Sequence, residues 1–332
     1  MVMLKLDTMM ITYIAAAFAI IAIVIALLWV YRVLCCDKSS HNNSREVVMP
    51  QGVTEFSVEE LRLATNGFDM IAYGWFGSVY SGLIGDMIVA VKRRIGSLHP
   101  RFLAEVSYIS RIRHSNLVNL VGYCCEDGDQ MLVYEYLLNS NLREYLEDHR
   151  DLTFKKRIYI ALGAAKGLQY LHNSTPPLQH KRFSMSKVLL DVNLNAKISD
   201  AGMYGMFQEL DSSLRPNNPK GGLEETIDVF SFGLFLLELI TGAEPREFKS
   251  NFQIIQWIAP RIFSNSLWDE RMTGTFKIES IHSFIKITLK CLKYPAIHRA
   301  KMDEVVTELE NIYQNEDNPF ALGGNGFTIT IA

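Results

Sequence analysis

The spacing of apolar and polar positions divides the chain into distinct stretches. Residues 8–31, TMMITYIAAAFAIIAIVIALLWVY, carry no charged side chain, and at about 1.5 Å per helical residue such a run crosses a hydrocarbon core of roughly 30 Å. It predicts one transmembrane helix. A cleaved signal peptide is the alternative, opposed by the length of the run and by the lack of a small-x-small cleavage site before Arg32. Trp29 and Tyr31 mark an interfacial edge. Arg32, Lys38 and Arg45 follow the run while only Lys5 precedes it, which puts the C-terminal bulk in the cytoplasm and residues 1–7 outside. Residues 32–53 are polar and aperiodic and read as a juxtamembrane linker. Within it, Cys35 and Cys36 are either S-acylation sites or idle interfacial thiols.

A folded domain is expected over residues 54–314. Ser57 with Glu60 three positions on is a capping-box pattern, and Val58, Leu61, Leu63 and Ala64 supply the apolar positions of a short helix ending near Asn66-Gly67. Up to about residue 138, short β-type runs (GSVYSGL, MIVAVKR, LVNLVGYC, QMLVYEYL) alternate with one helical stretch, RFLAEVSYISRIRH. From residue 139 the period is helical, as in LREYLEDH, RIYIALGAAKGLQYLHN, DVFSFGLFLLELITG, FQIIQWIAPRIF, IESIHSFIKITLKCL and MDEVVTELENIYQ. The expected class is therefore α+β, a sheet-rich lobe followed by a mainly helical one. Residues 315–332, with Pro319 and the run GGNG, lack periodicity and are expected to be a flexible tail.

Composition narrows the functions. A formal net charge of -3 supplies no basic field, so no nucleic-acid partner is expected. The five cysteines, two of them at 35–36, two at 124–125 and one at 291, make neither a disulfide framework nor a metal-ligand spacing. That fits a reducing compartment for the main domain.

In chain order the two lobes carry EFSVEELRLATNGF, GWFGSVYSG, IVAVKR, RHSNLVNLVGYC, LVYEYL, GLQYLHN, VLLDVNLNAKISD, DVFSFGLFLLELITG and MDEVVTELE. Each segment alone is common. Together, over about residues 55–312, they resemble the bilobal protein-kinase fold, and specifically plant receptor-like and receptor-like cytoplasmic kinases. The resemblance implies an ATP cleft. Its phosphate-covering turn is Ile71 to Val79, with Gly74 and Gly77 present and Ala72 in place of the first glycine; as an isolated copy it would read as an ordinary hairpin turn. Lys92 matches the lysine that reaches the phosphates and Glu105 the helix glutamate that pairs with it, although such a pair also serves as a purely structural link. Val79 and Ala90 match the adenine ceiling and Leu189 its floor, while Tyr134, Glu135 and Tyr136 fall at the gatekeeper and hinge.

The departures from the family pattern fall where the chemistry would occur. The catalytic loop H-R-D-x-K-x-x-N aligns to His180–Lys187. Arg182 replaces the aspartate that accepts the substrate proton, and a guanidinium has no acceptor lone pair. Ser184 replaces the lysine that steadies the transferring phosphoryl group. Lys187 replaces the metal-binding asparagine, and an ammonium repels Mg²⁺. Asp200 is kept, but the motif reads Asp200-Ala201-Gly202; the lost phenylalanine leaves a space between His180 and Ile109 for Met203 or Phe207 to fill. Asp200 either holds one Mg²⁺ weakly or pairs with Lys187 or Lys92. Leu214-Arg215-Pro216 stands where the family has A-P-E, so Arg299 needs another acceptor, Glu224 or Glu225. Asp228 matches the aspartate that braces the catalytic loop.

These residues imply a membrane-anchored, single-pass pseudokinase at the plasma membrane, a non-catalytic scaffold or allosteric partner of an active receptor-like kinase or other signalling protein. ATP, if held, is expected to bind weakly and without Mg²⁺. The alternative is a nucleotide-binding switch or weak serine/threonine kinase using Lys92, Glu105 and Asp200. A third reading, a decoy or degenerate product, also stays open.

Overall fold

A computed structural model describes residues 50, 52–94, 98–126, 128–148, 152–203, 225–244, 251–264, 266–272 and 276–317 of the chain. The expected span at 8–31, the linker residues before 50, Cys35 and Cys36, Phe207, the 214–216 segment and Glu224 lie outside them. No helix among the described residues is long and apolar enough to cross a membrane.

The first lobe is a six-stranded sheet in the order β1-β5-β6-β4-β3-β2, built from β1 (Thr54–Glu55), β2 (Met70–Tyr73), β3 (Gly77–Ile84), β4 (Met87–Arg94), β5 (Leu120–Glu126) and β6 (Asp129–Glu135). All neighbours are antiparallel except β1 with β5. Before β2, α1 (Val58–Ala64) opens on the expected capping box: the Glu60 amide donates to Ser57 Oγ (3.2 Å) while the Ser57 amide donates to Glu60 Oε2 (2.7 Å). That satisfies donors a helix start leaves orphaned. Leu61 then packs with Tyr80, Val89, Val91 and Met131 on one face of the sheet.

On the other face lies α2 (Phe102–Ile109), whose Phe102, Val106 and Ile109 pack against Leu120, Tyr123 and Leu132. The apolar spacing led us to expect helix through residue 114. The helix stops earlier because the Ser110 hydroxyl bonds back to the Ser107 carbonyl (3.0 Å) and the next amides tighten to three-residue turns.

The helical lobe contains α3 (Leu142–Asp148), α4 (Phe154–His172), α5 (Glu225–Thr241), α6 (Asn251–Phe263), α7 (Ile278–Cys291) and α8 (Met302–Asp317). The last helix continues three residues past the expected domain end at 314, to Asp317, and the rest of the expected tail lies outside the described residues. The small hairpin β7 (Val188–Leu190) with β8 (Ala196–Ile198) lies on α4. There α4 needs Gly167, since a Cβ would meet the Asn116 carbonyl at 2.8 Å and Ile198 Cδ1 at 2.9 Å. Arg157 of α4 is buried and ties the lobe together, donating to the carbonyls of Leu152 (2.8 Å) and Leu239 (2.7 Å) and to Asp269 (2.7 Å).

Candidate functional site

Strands β2, β3, β4, β6 and β7, with the turn and loop segments next to them, converge on a cleft between the lobes. It is a cavity of about 690 Å³ lined by Ile71, Ala72, Gly74, Gly77, Val79, Ala90, Lys92, Glu135, Leu189 and Asp200, together with Arg182, Ser184 and Lys187. The expected site residues therefore meet in one place, except Glu105 and the gatekeeper Tyr134, which is buried in the apolar cluster with Phe102, Val106 and Leu132. Val79 on β3 faces Lys92 on β4 across the sheet, so an apolar ceiling and a cation share one pair of strands.

The catalytic-loop segment is held from below by Asp228 at the start of α5, whose buried carboxylate accepts the amides of His180 and Lys181, each at 2.7 Å. The same carboxylate accepts His172 Nε2 at 3.1 Å. His180 Nε2 donates to the Ser199 carbonyl (2.8 Å) and Nδ1 accepts the Arg182 amide (3.3 Å); burial holds this imidazole below its ordinary pKa, in keeping with a neutral ring. These bonds fix the N-terminal side of the loop that presents Arg182, Ser184 and Lys187.

Asp200 is the centre of the site. One carboxylate oxygen accepts from Lys92 and the other from Lys187, so it forms an ion-paired triad with both. Burial alone would raise its pKa, but the two ammonium groups outweigh it and keep the carboxyl ionised far below the usual carboxylate range. The expected Lys92–Glu105 pair is not formed. Lys92 is turned instead to the buried Asp200, where attraction is screened less than at the half-buried Glu105 on α2. Glu105 accordingly lies outside the cavity.

Mg²⁺ does not fit this donor set. Both Asp200 oxygens are engaged by ammonium groups, and the second metal position is itself an ammonium, Lys187. Among the described residues no cluster of three or more His, Cys, Asp or Glu could hold a metal. Arg182 brings no acceptor to the place of the general base, and Ser184 Oγ lies 3.0 Å from Ser186 Oγ.

The space left by the missing phenylalanine is filled by Met203, fully buried in the apolar cluster with Phe76, Phe102, Val106 and Ile109. The turn that brings it there has Gly202 at φ 76°, where a Cβ would fall 2.4 Å from Ile112 Cδ1. Arg299 does not take Glu225, and the other expected acceptor, Glu224, lies outside the described residues. It donates to the carbonyls of Thr226 (2.8 Å) and Lys293 (3.1 Å) and lies over the Phe230 ring, 4.7 Å from its centre. Carbonyl dipoles and an aromatic face thus substitute for a carboxylate.

Among the cleft residues that sequence reasoning missed, two aromatics stand out. Trp75 places its ring over Arg182, 3.6 Å from the guanidinium carbon to the ring centre, and Phe76 turns inward and is buried. The only signal was a pair of aromatic residues between Gly74 and Gly77. Glu135 was expected at the hinge and is there, but its carboxylate is turned to Lys197, with both oxygens at 2.8 Å.

Residues 67–309 match the family described as protein tyrosine and serine/threonine kinase. The chain belongs to the protein-kinase family. Its relatives are plant receptor-like kinases. A leucine-rich repeat receptor-like serine/threonine-protein kinase of Arabidopsis thaliana is 37% identical over 307 residues, covering 83% of this chain and 32% of that one. The proline-rich receptor-like protein kinase PERK8 of the same plant is 32% identical over 296 residues, covering 79% and 44%. The chain thus spans less than half the length of these two relatives. Among solved structures, the pseudokinase domain of BIR2, described as an immune regulator of the RLK/Pelle family, superposes with a TM-score of 0.64 at 29% identity over 79% of this chain and 88% of that one.

Proposed function

We propose that the chain is a receptor-like pseudokinase, tethered to the plasma membrane through residues 8–31, that acts as a non-catalytic scaffold or allosteric partner of an active kinase or receptor. The observation that carries this reading is the Lys92–Asp200–Lys187 triad. The carboxylate a kinase uses for Mg²⁺ is consumed by two cations, one of which stands where the second metal ligand belongs, and Arg182 occupies the position of the base. Loss of a general base forfeits about 10² to 10⁴ in rate, and the other losses act on the same transition state. Likeness to a solved pseudokinase supports the reading, and the long uncharged run supports the tether.

A lobe that is folded but unfit for phosphoryl transfer retains surfaces, and surfaces can bind. Proximity labelling from the cytoplasmic domain in its native membrane tests this. An active receptor-like kinase enriched over a tethered inert control is the expected outcome. Mg²⁺-dependent autophosphorylation abolished by Lys92→Met would overturn the reading.

A further inference from the structure

The cleft is not simply a kinase cleft with parts missing, because its charges have been rearranged. At the phosphate end of the cavity two ammonium groups, Lys92 and Lys187, share the single carboxylate of Asp200. The remaining carboxylates of the wall are engaged elsewhere, Glu135 with Lys197 and Glu144 with the Ser140 hydroxyl. At the other end, Val79, Ala90 and Leu189 keep an apolar slot. A flat ring attached to a polyphosphate matches this division, and a divalent cation does not.

We infer that the cleft takes a nucleoside polyphosphate in its metal-free form, with Lys187 as a tethered cation in the place of the metal, so that Mg²⁺ antagonises binding. The inference rests on the pseudokinase reading and gives its cleft a ligand class. In the free protein Asp200 is the counter-anion of Lys92 and Lys187. An entering polyphosphate supplies the same negative charge and competes with Asp200 for both ammonium groups. A nucleotide that arrives with Mg²⁺ has much of its charge already neutralised, and its metal is brought against the Lys187 ammonium, where like charges at contact distance repel strongly. Asp200 offers that metal little, since releasing it takes the counter-anion from two half-buried cations.

The test uses the full-length protein in detergent, with binding of ATP followed by calorimetry and thermal shift in EDTA and in excess Mg²⁺, and tripolyphosphate as the probe of the anion site alone. ATP in EDTA is expected to bind and to raise the melting temperature, and Mg²⁺ to weaken it by about tenfold or more. Lys187→Asn should remove that difference. Asp200→Asn should tighten metal-free ATP, because it deletes the internal competitor; in a metal-dependent site the same change weakens binding, so this variant decides the matter even where Lys187→Asn fails to fold. Binding that requires Mg²⁺, no binding in EDTA, or an Mg²⁺ effect unchanged by Lys187→Asn would each overturn the inference. The proposed function survives these results if phosphotransfer is still absent, and falls with them only if Mg²⁺-dependent transfer is seen.

Discussion

Trp75 of the glycine-containing turn stacks on Arg182 of the catalytic loop, so a residue from the upper lobe covers the position from which a kinase would take its substrate proton. The contact joins two changes that look unrelated in sequence. An arginine stands in the position of the base, and a tryptophan of the turn gives that arginine an aromatic face. With Phe76 buried beside Met203, the turn is anchored at two successive residues rather than left open over the cleft.

If the stack holds the turn down, Trp75→Ala should loosen it. The expected loss is on the order of 1 kcal/mol in thermal or denaturant unfolding, the size of one partly exposed cation-π contact. Amide exchange should rise at Gly74, whose N–H donates to the Gly77 carbonyl at 2.8 Å. Exchange unchanged from wild type would show that Phe76 alone fixes the turn.

The buried Arg157 and Asp269 give a second prediction, about stability and pH. Burial pushes the Asp269 carboxyl up, but the hydrogen bonds from Arg271 and Arg157 outweigh it and hold the pKa at about 2. A carboxylate depressed from its ordinary value of 3.8 contributes stability that is fully present above pH 3.8 and is lost as pH falls through about 2. That contribution is about 2 kcal/mol. Asp269→Asn should cost about 3 to 5 kcal/mol at neutral pH by stranding Arg157, and should flatten the acid limb of the stability curve. An acid limb of unchanged steepness would assign the acid sensitivity to other carboxylates, Asp200 first among them.

Much of this architecture was legible in the sequence because periodicity reports burial. The runs from LREYLEDH to MDEVVTELENIYQ fall on α3 to α8 with ends shifted by a few residues, and the Ser57–Glu60 box reads directly as a helix start. What could not be read was the choice among partners. Lys92 and Glu105 lie far along the chain from Lys187 and Asp200, and whether Lys92 meets Glu105 or Asp200 depends on how the lobes bring β4, α2 and the β8 exit together. Trp75 was illegible for a related reason. An aromatic residue in a glycine turn looks like any exposed side chain until Arg182 is found beneath it.

The uncharged run makes a prediction independent of the cleft. Full-length protein should resist extraction by alkaline carbonate, and a glycosylation tag placed after Ala332 should stay unmodified, since the basic residues after position 31 direct the C-terminal side to the cytoplasm. Release by carbonate would remove the span. Glycosylation of the tag would keep the span and reverse the topology.

Phosphotransfer is the last test, and the cleft dictates how repair should fail. The protein should show no transfer above background, and Arg182→Asp alone should not restore it. Besides leaving Ser184 and Lys187 in place, that substitution removes the guanidinium on which Trp75 rests and adds a carboxylate close to two lysines already engaged with Asp200. A new acid among those cations is more apt to pair with one of them than to wait for a substrate proton. Lys187→Asn attacks the problem from the other side, freeing one Asp200 oxygen for a metal, yet it leaves the base missing. Groups that stabilise one transition state together fail together, so single repairs should each read as no change. The smallest set that rebuilds the loop is Arg182→Asp with Ser184→Lys and Lys187→Asn, and even this leaves Lys92 paired with Asp200 rather than Glu105. Any activity it gains should therefore depend on Glu105, and adding Glu105→Gln to the triple variant should abolish it. Transfer by wild-type protein that disappears in Lys92→Met would instead mean that Lys92, Glu105 and Asp200 rearrange around nucleotide into a working site, and the triad would then be a resting state of an enzyme.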